Sequence, residues 1–370
     1  MRHVFANAAL IGAQDMHWRD LVVEGGCIAD IVAAGDGTGD TREDLGGQIV
    51  SPPMFDVQVN GGGGLMLGAC RDVADLRAMA EAHLHDGVPH ILPTLISDTA
   101  AEIARIADLI EEARRAGLWQ IRGLHLEGPH LTRPGAHDPA MLRPLTDDDL
   151  ALYARVKGQV GRLKLTIAPE LVPPERIAAL CAEGIIVALG HSGCDSATAR
   201  TAFDAGAVAA THLFNAMSGL DHRAPGLALA ALERGSFGLI ADGVHVHPDM
   251  LRLAARHGAA AYLVSDAMAV AGTDHAVFAL GGRRITRQDG RLTLEDGTLA
   301  GADLTLARAV AVMEAATALP RDAVIRMATT TPRALMGIAP DLAPGDPAVF
   351  HAWPEGAAPR LHLLEGWQQA

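Results

Sequence analysis

Eight apolar runs of strand length follow one another from Met54 onward, at 55–59, 90–95, 121–126, 163–168, 185–189, 208–210, 237–241 and 261–265. Amphipathic stretches of helical period separate most of them, at 73–85, 99–116, 174–183, 196–205, 227–234 and 248–257. In 99–116 the residues Ile103, Ile106, Leu109 and Ile110 share one face, and Ser97, Asp98 or Thr99 can cap its start. Between the third and fourth runs a long loop stands where a helix would be. Strands joined through helices pair in parallel, because each crossover returns the chain to the same end of the sheet. Eight such strands predict an α/β fold in which the sheet closes into a (β/α)8 TIM-like barrel.

The two chain ends fall outside this alternation. Residues 3–11, 21–31 and 48–50 read as short β segments broken by glycine. After the Pro-rich stretch 341–347 two more follow, at 348–353 and 360–364. They predict a discontinuous β-sandwich domain of residues 1–50 and 338–370, with the catalytic barrel at 51–337. Gly-rich sequence at 276–300 reads as hairpins, and helices resume at 303–319 and 321–329.

Composition removes several functions. A net charge of −14 disfavours nucleic acid and anionic membranes as partners, since both need broad basic surfaces. It still allows a small anionic substrate held by a local cationic cluster. The four cysteines, Cys27, Cys70, Cys181 and Cys194, form no CxxC pair and are too sparse for a disulfide framework. With no signal-like leader and no apolar run long enough to span a bilayer, the expectation is a soluble, cytoplasmic protein.

Active sites of such barrels form at the C-terminal ends of the strands. Those positions hold Gln58 and Asn60, then Thr94, Glu127, Glu170, His191, His212, Asp242 with His245, and Asp266. A ring of Asp, Glu and His is costly to bury unless a metal or substrate occupies it. Glu127, His191 and His212 make a two-His, one-carboxylate set suited to a catalytic divalent ion. Asp266 on the last strand can take a proton from water and return it to a leaving amine. Arg223 and His245 suit an anion. Gly61–Gly64 lacks the GxxxxGK[ST] pattern and reads as a flexible loop. Cys194 reads as structural.

The ordered motifs DVQVNG, HLEGPH, APE, GHS, THLFNAM, HRAPG, ADGVHV, SDAM and LAGADLTL resemble the N-acetylglucosamine-6-phosphate deacetylase family of the amidohydrolase superfamily. The resemblance runs from Met54 to about Gly337. It implies hydrolysis of the acetamide of N-acetyl-D-glucosamine 6-phosphate to acetate and D-glucosamine 6-phosphate. Glu127, His191 and His212 match the ligands of one divalent ion per subunit, zinc foremost, with iron, manganese or cobalt as alternatives. Asp266 matches the acid/base. Ala136, His137, Asn215, Ala216, Arg223, Asp242, Gly243, Val244, His245, Leu299, Ala300 and Gly301 match substrate contacts. The resemblance also implies a homodimer, with Arg223 near the interface and able to reach the neighbouring subunit's phosphate.

Two departures from the family's pattern are visible. SDA replaces the commoner TDA, and His130 stands where others carry Trp or Phe. Gln58 and Asn60 occupy the first-strand positions at which many amidohydrolases carry an HxH pair for a second metal. Amide oxygens hold a borderline-soft ion poorly, so the expectation is one metal, with both amides hydrogen-bonded to its ligands or to water. Arg223 in HRAPG favours a phosphorylated sugar over a cyclic imide of the dihydroorotase type. Retention of Glu127, His191, His212 and Asp266 argues against a barrel that has lost its chemistry.

Overall fold

The structure, a computed structural model, describes residues 1–12, 15–257 and 261–363. Eight parallel strands pair in chain order. They are Phe55–Val59, His90–Ile96, Leu124–Glu127, Leu163–Ile167, Ile186–Leu189, Ala209–Ala210, Ser236–Leu239 and Ala261–Leu263. The eighth returns to the first, where Asp266 N donates to Gln58 O at 3.1 Å and Val59 bridges to Ala267. The expected barrel is therefore present, with strands so short that polar loop residues begin at the rim of the core.

The surrounding helices start where the sequence offers a cap. Thr99 accepts from Glu102 N at the head of Ala100–Arg115, and Ile103, Ile106, Leu109 and Ile110 are buried against the barrel. A further helix, Asp147–Val160, fills the connection where the sequence suggested only a loop. Thr146 and Asp149 form a reciprocal capping box at its start, and Leu152, Tyr153, Val156 and Val160 are buried. The expected helix at 303–319 is confined to Leu306–Ala316. The one at 321–329 runs Arg321–Ala328 and is followed by Thr330–Leu335.

Strands from both chain ends form a second, seven-stranded sheet. Arg2–Ile11 pairs with Met16–Glu24 on one side and with Thr41–Asp44 and Ile49–Ser51 on the other. Residues 21–31, read as one segment, are parts of two strands, because Gly25 and Gly26 at positive φ turn Met16–Glu24 into Cys27–Ala33. From the far end, Val349–Trp353 pairs antiparallel with Ile49–Ser51 and with Arg360–Leu363. Leu364 and the rest of the expected small domain, to residue 370, lie outside the described residues.

The hairpins expected at 276–300 form a four-stranded antiparallel sheet of Val277–Leu280, Arg283–Gln288, Arg291–Thr293 and Leu299–Ala302. It packs its own apolar cluster with Met268 and Val270 and is tied to the barrel by Ala302 N to Asp266 O, 3.0 Å. Arg283 donates to the carbonyl of Ala136, which carries the sheet across the barrel mouth. Gly61–Gly62 pairs with Leu65–Met66 in a tight hairpin instead of a flexible loop. A Cβ on Gly61 would lie 2.5 Å from the Leu65 carbonyl oxygen.

Candidate active site

Glu127 is the last residue of the third barrel strand, and His191, His212 and Asp266 follow the fifth, sixth and eighth. All four are buried. The last three adopt positive φ, at 48°, 31° and 50°, as do Phe214 and Ala216 beside them. Among the described residues only two other non-glycines do so, Asn7 and Asp289, so backbone strain is concentrated where chemistry is expected.

Glu127 Oε1 lies 3.0 Å from His212 Nε2 and 3.4 Å from His191 Nε2, and the two Nε2 atoms are 3.0 Å apart. Donors bound at about 2.0–2.1 Å to a tetrahedral ion stand roughly 3.3 Å from one another, so this triangle has the dimensions of one face of such a site. His191 Nδ1 faces the carbonyl oxygen of Arg133 at 2.7 Å. That contact places the ring proton on Nδ1 and leaves the Nε2 lone pair directed at the triangle, as metal-binding histidines are usually held.

His137 adds a fourth group. Its Nε2 is 3.7 Å from Glu127 Oε2, and Glu127, His137 and His191 offer ligand atoms within 4.8 Å of one another. Its tautomer separates it from the other histidines. The Ser97 backbone N–H donates to His137 Nδ1 at 3.2 Å, so Nδ1 is an acceptor and the proton of the neutral ring sits on Nε2. Burial, with repulsion from His191, lowers this imidazole to about 4 against the pull of Glu127, which keeps it neutral at physiological pH. A Glu/His cluster able to coordinate one divalent ion is thus present, and His137 turns an N–H toward it.

The two carboxylates beside the cluster are driven apart. Burial would raise Glu127, but the close approach of His137, His191 and His212 holds it well below the usual carboxylate range. Burial and the nearby Glu127 charge raise Asp266. The two neighbouring carboxyls are thus shifted in opposite directions, a division of the kind that acid–base chemistry uses. Asn60 Nδ2 and Gln58 Nε2 donate to Asp266 Oδ1 at 2.7 and 3.1 Å, and Gln58 Nε2 also reaches Glu127 Oε1 at 3.2 Å. Gln58 thus hydrogen-bonds to Glu127, as expected of an amide beside the candidate ligands, while Asn60 donates to Asp266. Their own oxygens, Gln58 Oε1 and Asn60 Oδ1, are buried without a partner among the described residues. An unmet buried acceptor costs about 1–3 kcal/mol, which a water or substrate donor can offset.

A cavity of about 290 Å³ opens onto this cluster. Of the residues expected to contact substrate, Ala136, His137, Asn215, Ala216, His245, Leu299 and Gly301 line it. Asp242 lies behind His245, accepting from its Nδ1 at 2.6 Å and from the backbone N–H groups of Val244 and His245 at 2.8 Å each. Gly243 makes the intervening turn at φ 77°. Ala300 is buried in the apolar cluster of the inserted sheet. Arg223 is not brought into the cavity: it is exposed on its loop, with Nε 2.9 Å from His222 Nε2. His130 does not reach the cavity either, being buried against the Tyr153 hydroxyl at 2.8 Å.

Sequence reasoning missed the opposite wall, formed by Ile96, Met268, Leu280 and Thr298. It also left Glu170 without a role. That carboxylate accepts from Thr132 Oγ1, from Ser192 Oγ at 2.6 Å and from Gly193 N at 2.9 Å, and so fixes the turn that presents His191. Lys164 carries no motif that marks it in the sequence. It is fully buried inside the barrel, where burial lowers it to about 8 against the attraction of Glu127, Asp56 and Asp266. Cys194 is buried, and its thiol is pushed up to about 11 mainly by that burial, in keeping with a structural role. Size alone does not mark the site, since a cavity of about 450 Å³ lies elsewhere and one of about 560 Å³ adjoins it.

No family model matches the chain. It is 41% identical over 241 residues to an N-acetylgalactosamine-6-phosphate deacetylase of Shewanella sp. (strain ANA-3), a match covering 64% of this chain and 61% of that protein. It is 35% identical over 302 residues to the N-acetylglucosamine-6-phosphate deacetylase of Homo sapiens, covering 76% of this chain and 73% of that one. Among solved structures, N-acetylglucosamine-6-phosphate deacetylase from Pasteurella multocida superposes with a TM-score of 0.91 at 29% identity, over 98% of both chains.

Proposed function

Because the chain belongs to the N-acetylglucosamine/N-acetylgalactosamine-6-phosphate deacetylases of the amidohydrolase superfamily, we propose that it hydrolyses the acetamide of N-acetyl-D-glucosamine 6-phosphate, releasing acetate and D-glucosamine 6-phosphate. The observation that carries the reading is the triangle of Glu127, His191 and His212 beside the buried carboxyl of Asp266. Those three residues hold one divalent ion, zinc by the character of the N/O donor set, with iron, manganese or cobalt compatible. When bound, such an ion polarises the acetamide carbonyl and makes a water more acidic.

The protein's own groups do the rest. Asp266, its Oδ1 fixed by Asn60 and Gln58, removes the proton from the attacking water and then delivers it to the departing sugar nitrogen. His137 offers its Nε2–H to the carbonyl oxygen as negative charge develops there, its ring fixed by Ser97. His245, oriented by Asp242, together with Asn215 and the backbone of Ala216, holds the phosphorylated sugar. Arg223 serves the phosphate from a homodimer interface, consistent with its exposed place on a loop. The free state of all four cysteines accords with a cytoplasmic setting. Residues 51–337 act as the catalytic unit, and 1–50 with 338–370 as the small domain.

A second reading, the galacto epimer, is favoured by the 41% match. A panel of N-acetylated gluco- and galactosamine, each with and without a 6-phosphate, tests both. The expected result is acetate release from a 6-phosphate, with the unphosphorylated sugar at least about tenfold lower in kcat/KM, the worth of a charge-assisted contact. No acetate from any member of the panel would overturn the proposal.

A further inference from the structure

Behind the apolar wall of the active-site cavity lies a second chamber, about 560 Å³ against about 290 Å³. The two share Asn60, Ile96 and Leu280, so little more than these side chains divides them. Leu280 ends the first strand of the inserted sheet and is 5% exposed, and Ile96 ends the second barrel strand and packs against the same cluster. Beyond them the chamber is lined by Met66, Leu95 and Phe278 beside the polar Ser97, Asp98, Asp138 and Arg283, and Gly68 contributes no side chain to it.

The direction of the substrate follows from the ring. Asn215 follows the sixth strand, while Ile96 ends the second, four strands away in an eight-stranded barrel. An N-acetylhexosamine 6-phosphate is polar nearly everywhere except at its acyl methyl. The sugar belongs with Asn215 and His245, and the methyl with Ile96 and Leu280.

We infer that Ile96 and Leu280 set the acyl-length specificity of the hydrolysis by closing the cavity behind the acetyl methyl, and that the chamber beyond them is room for longer N-acyl chains once either is cut back. This rests on the deacetylase reading above. The reaction is unchanged, an amide cleaved by water, with a longer carboxylate as the product.

The test compares N-acetyl-, N-propionyl-, N-butyryl- and N-hexanoylglucosamine 6-phosphate on the wild type, Leu280→Ala, Ile96→Ala and Leu280→Ala/Gly68→Leu. Each methylene in a tight apolar pocket changes kcat/KM by roughly 10–200-fold. The wild type should lose at least about tenfold by butyryl, and Leu280→Ala should raise the butyryl-to-acetyl ratio by about tenfold or more. Gly68→Leu should reverse that gain by refilling the chamber, since a Cβ there meets only Leu95 Cδ1 at 3.5 Å. Ile96→Ala serves if Leu280→Ala does not fold. A wild type that takes butyryl as well as acetyl, or folded variants with an unchanged ratio, would overturn the inference. A wild type inactive on every N-acetylated 6-phosphate would sink the deacetylase reading instead.

Discussion

The barrel mouth and the seam between barrel and terminal sheet both bury histidines among polar groups, yet they differ in how those groups are met. At the seam the contacts of His351 and Trp353 close. His351 Nδ1 accepts from Met54 N at 3.3 Å, its Nε2 meets the Gly87 carbonyl at 2.8 Å, and Trp353 Nε1 donates to Ser51 Oγ at 2.8 Å. At the mouth His191 and His212 turn Nε2 atoms on each other beside Glu127, and the Gln58 and Asn60 oxygens stay unpaired among the described residues. Buried polar groups that satisfy one another hold a fold together. Groups that converge without satisfying one another are arranged for something that arrives later.

The sharpest way to break this contrast is Asp266→Asn. An amide cannot take the water's proton, so kcat should fall by about 10²–10⁴-fold. The variant should melt no lower than the wild type, because replacing a buried carboxylate beside Glu127 removes a repulsion. Near-normal turnover in the folded variant would remove Asp266 from the chemistry.

The seam should answer in the opposite currency. His351→Ala strands the Met54 N–H and the Gly87 carbonyl, costing about 2–4 kcal/mol of stability with kcat little changed. Its pH dependence has a defined sign. Burial holds His351 down to about 4, while the unfolded ring takes its proton near the ordinary 6.5. Stability is therefore full above 6.5 and lost as pH falls toward 4, because the unfolded chain binds the proton more readily in that window. Urea melts at pH 7 and 5 should show that loss in the wild type and a shallower one in His351→Ala. Equal slopes would show that His351 is not the titrating group. Trp353→Phe, which removes one donor to Ser51, should cost the least, about 1–2 kcal/mol, with no effect on the reaction.

Much of the mouth was legible in the sequence because a barrel brings every strand end to one rim. Glu127, His191, His212 and Asp266 needed only the position of each strand to be placed there. What escaped notice depends on contacts between distant segments. The cavity wall at Leu280 belongs to a sheet inserted far along the chain, which Arg283 ties to Ala136. Glu170 stood at a strand end, but its partners Thr132 and Ser192 come from neighbouring loops. The helix Asp147–Val160 is different, since Thr146 and Asp149 did announce its cap. The protonation of His137 was hidden, because it rests on a backbone N–H 40 residues away.

That protonation leads to the decisive measurement, the metal content of purified protein after exhaustive dialysis, wild type against His212→Gln and His137→Gln. If Glu127, His191 and His212 hold the ion, the wild type carries about one equivalent per chain. His212→Gln then loses it, and His137→Gln keeps it while losing activity. A metal-free His137→Gln beside a loaded His212→Gln would contradict this assignment, as would two tightly held equivalents in the wild type.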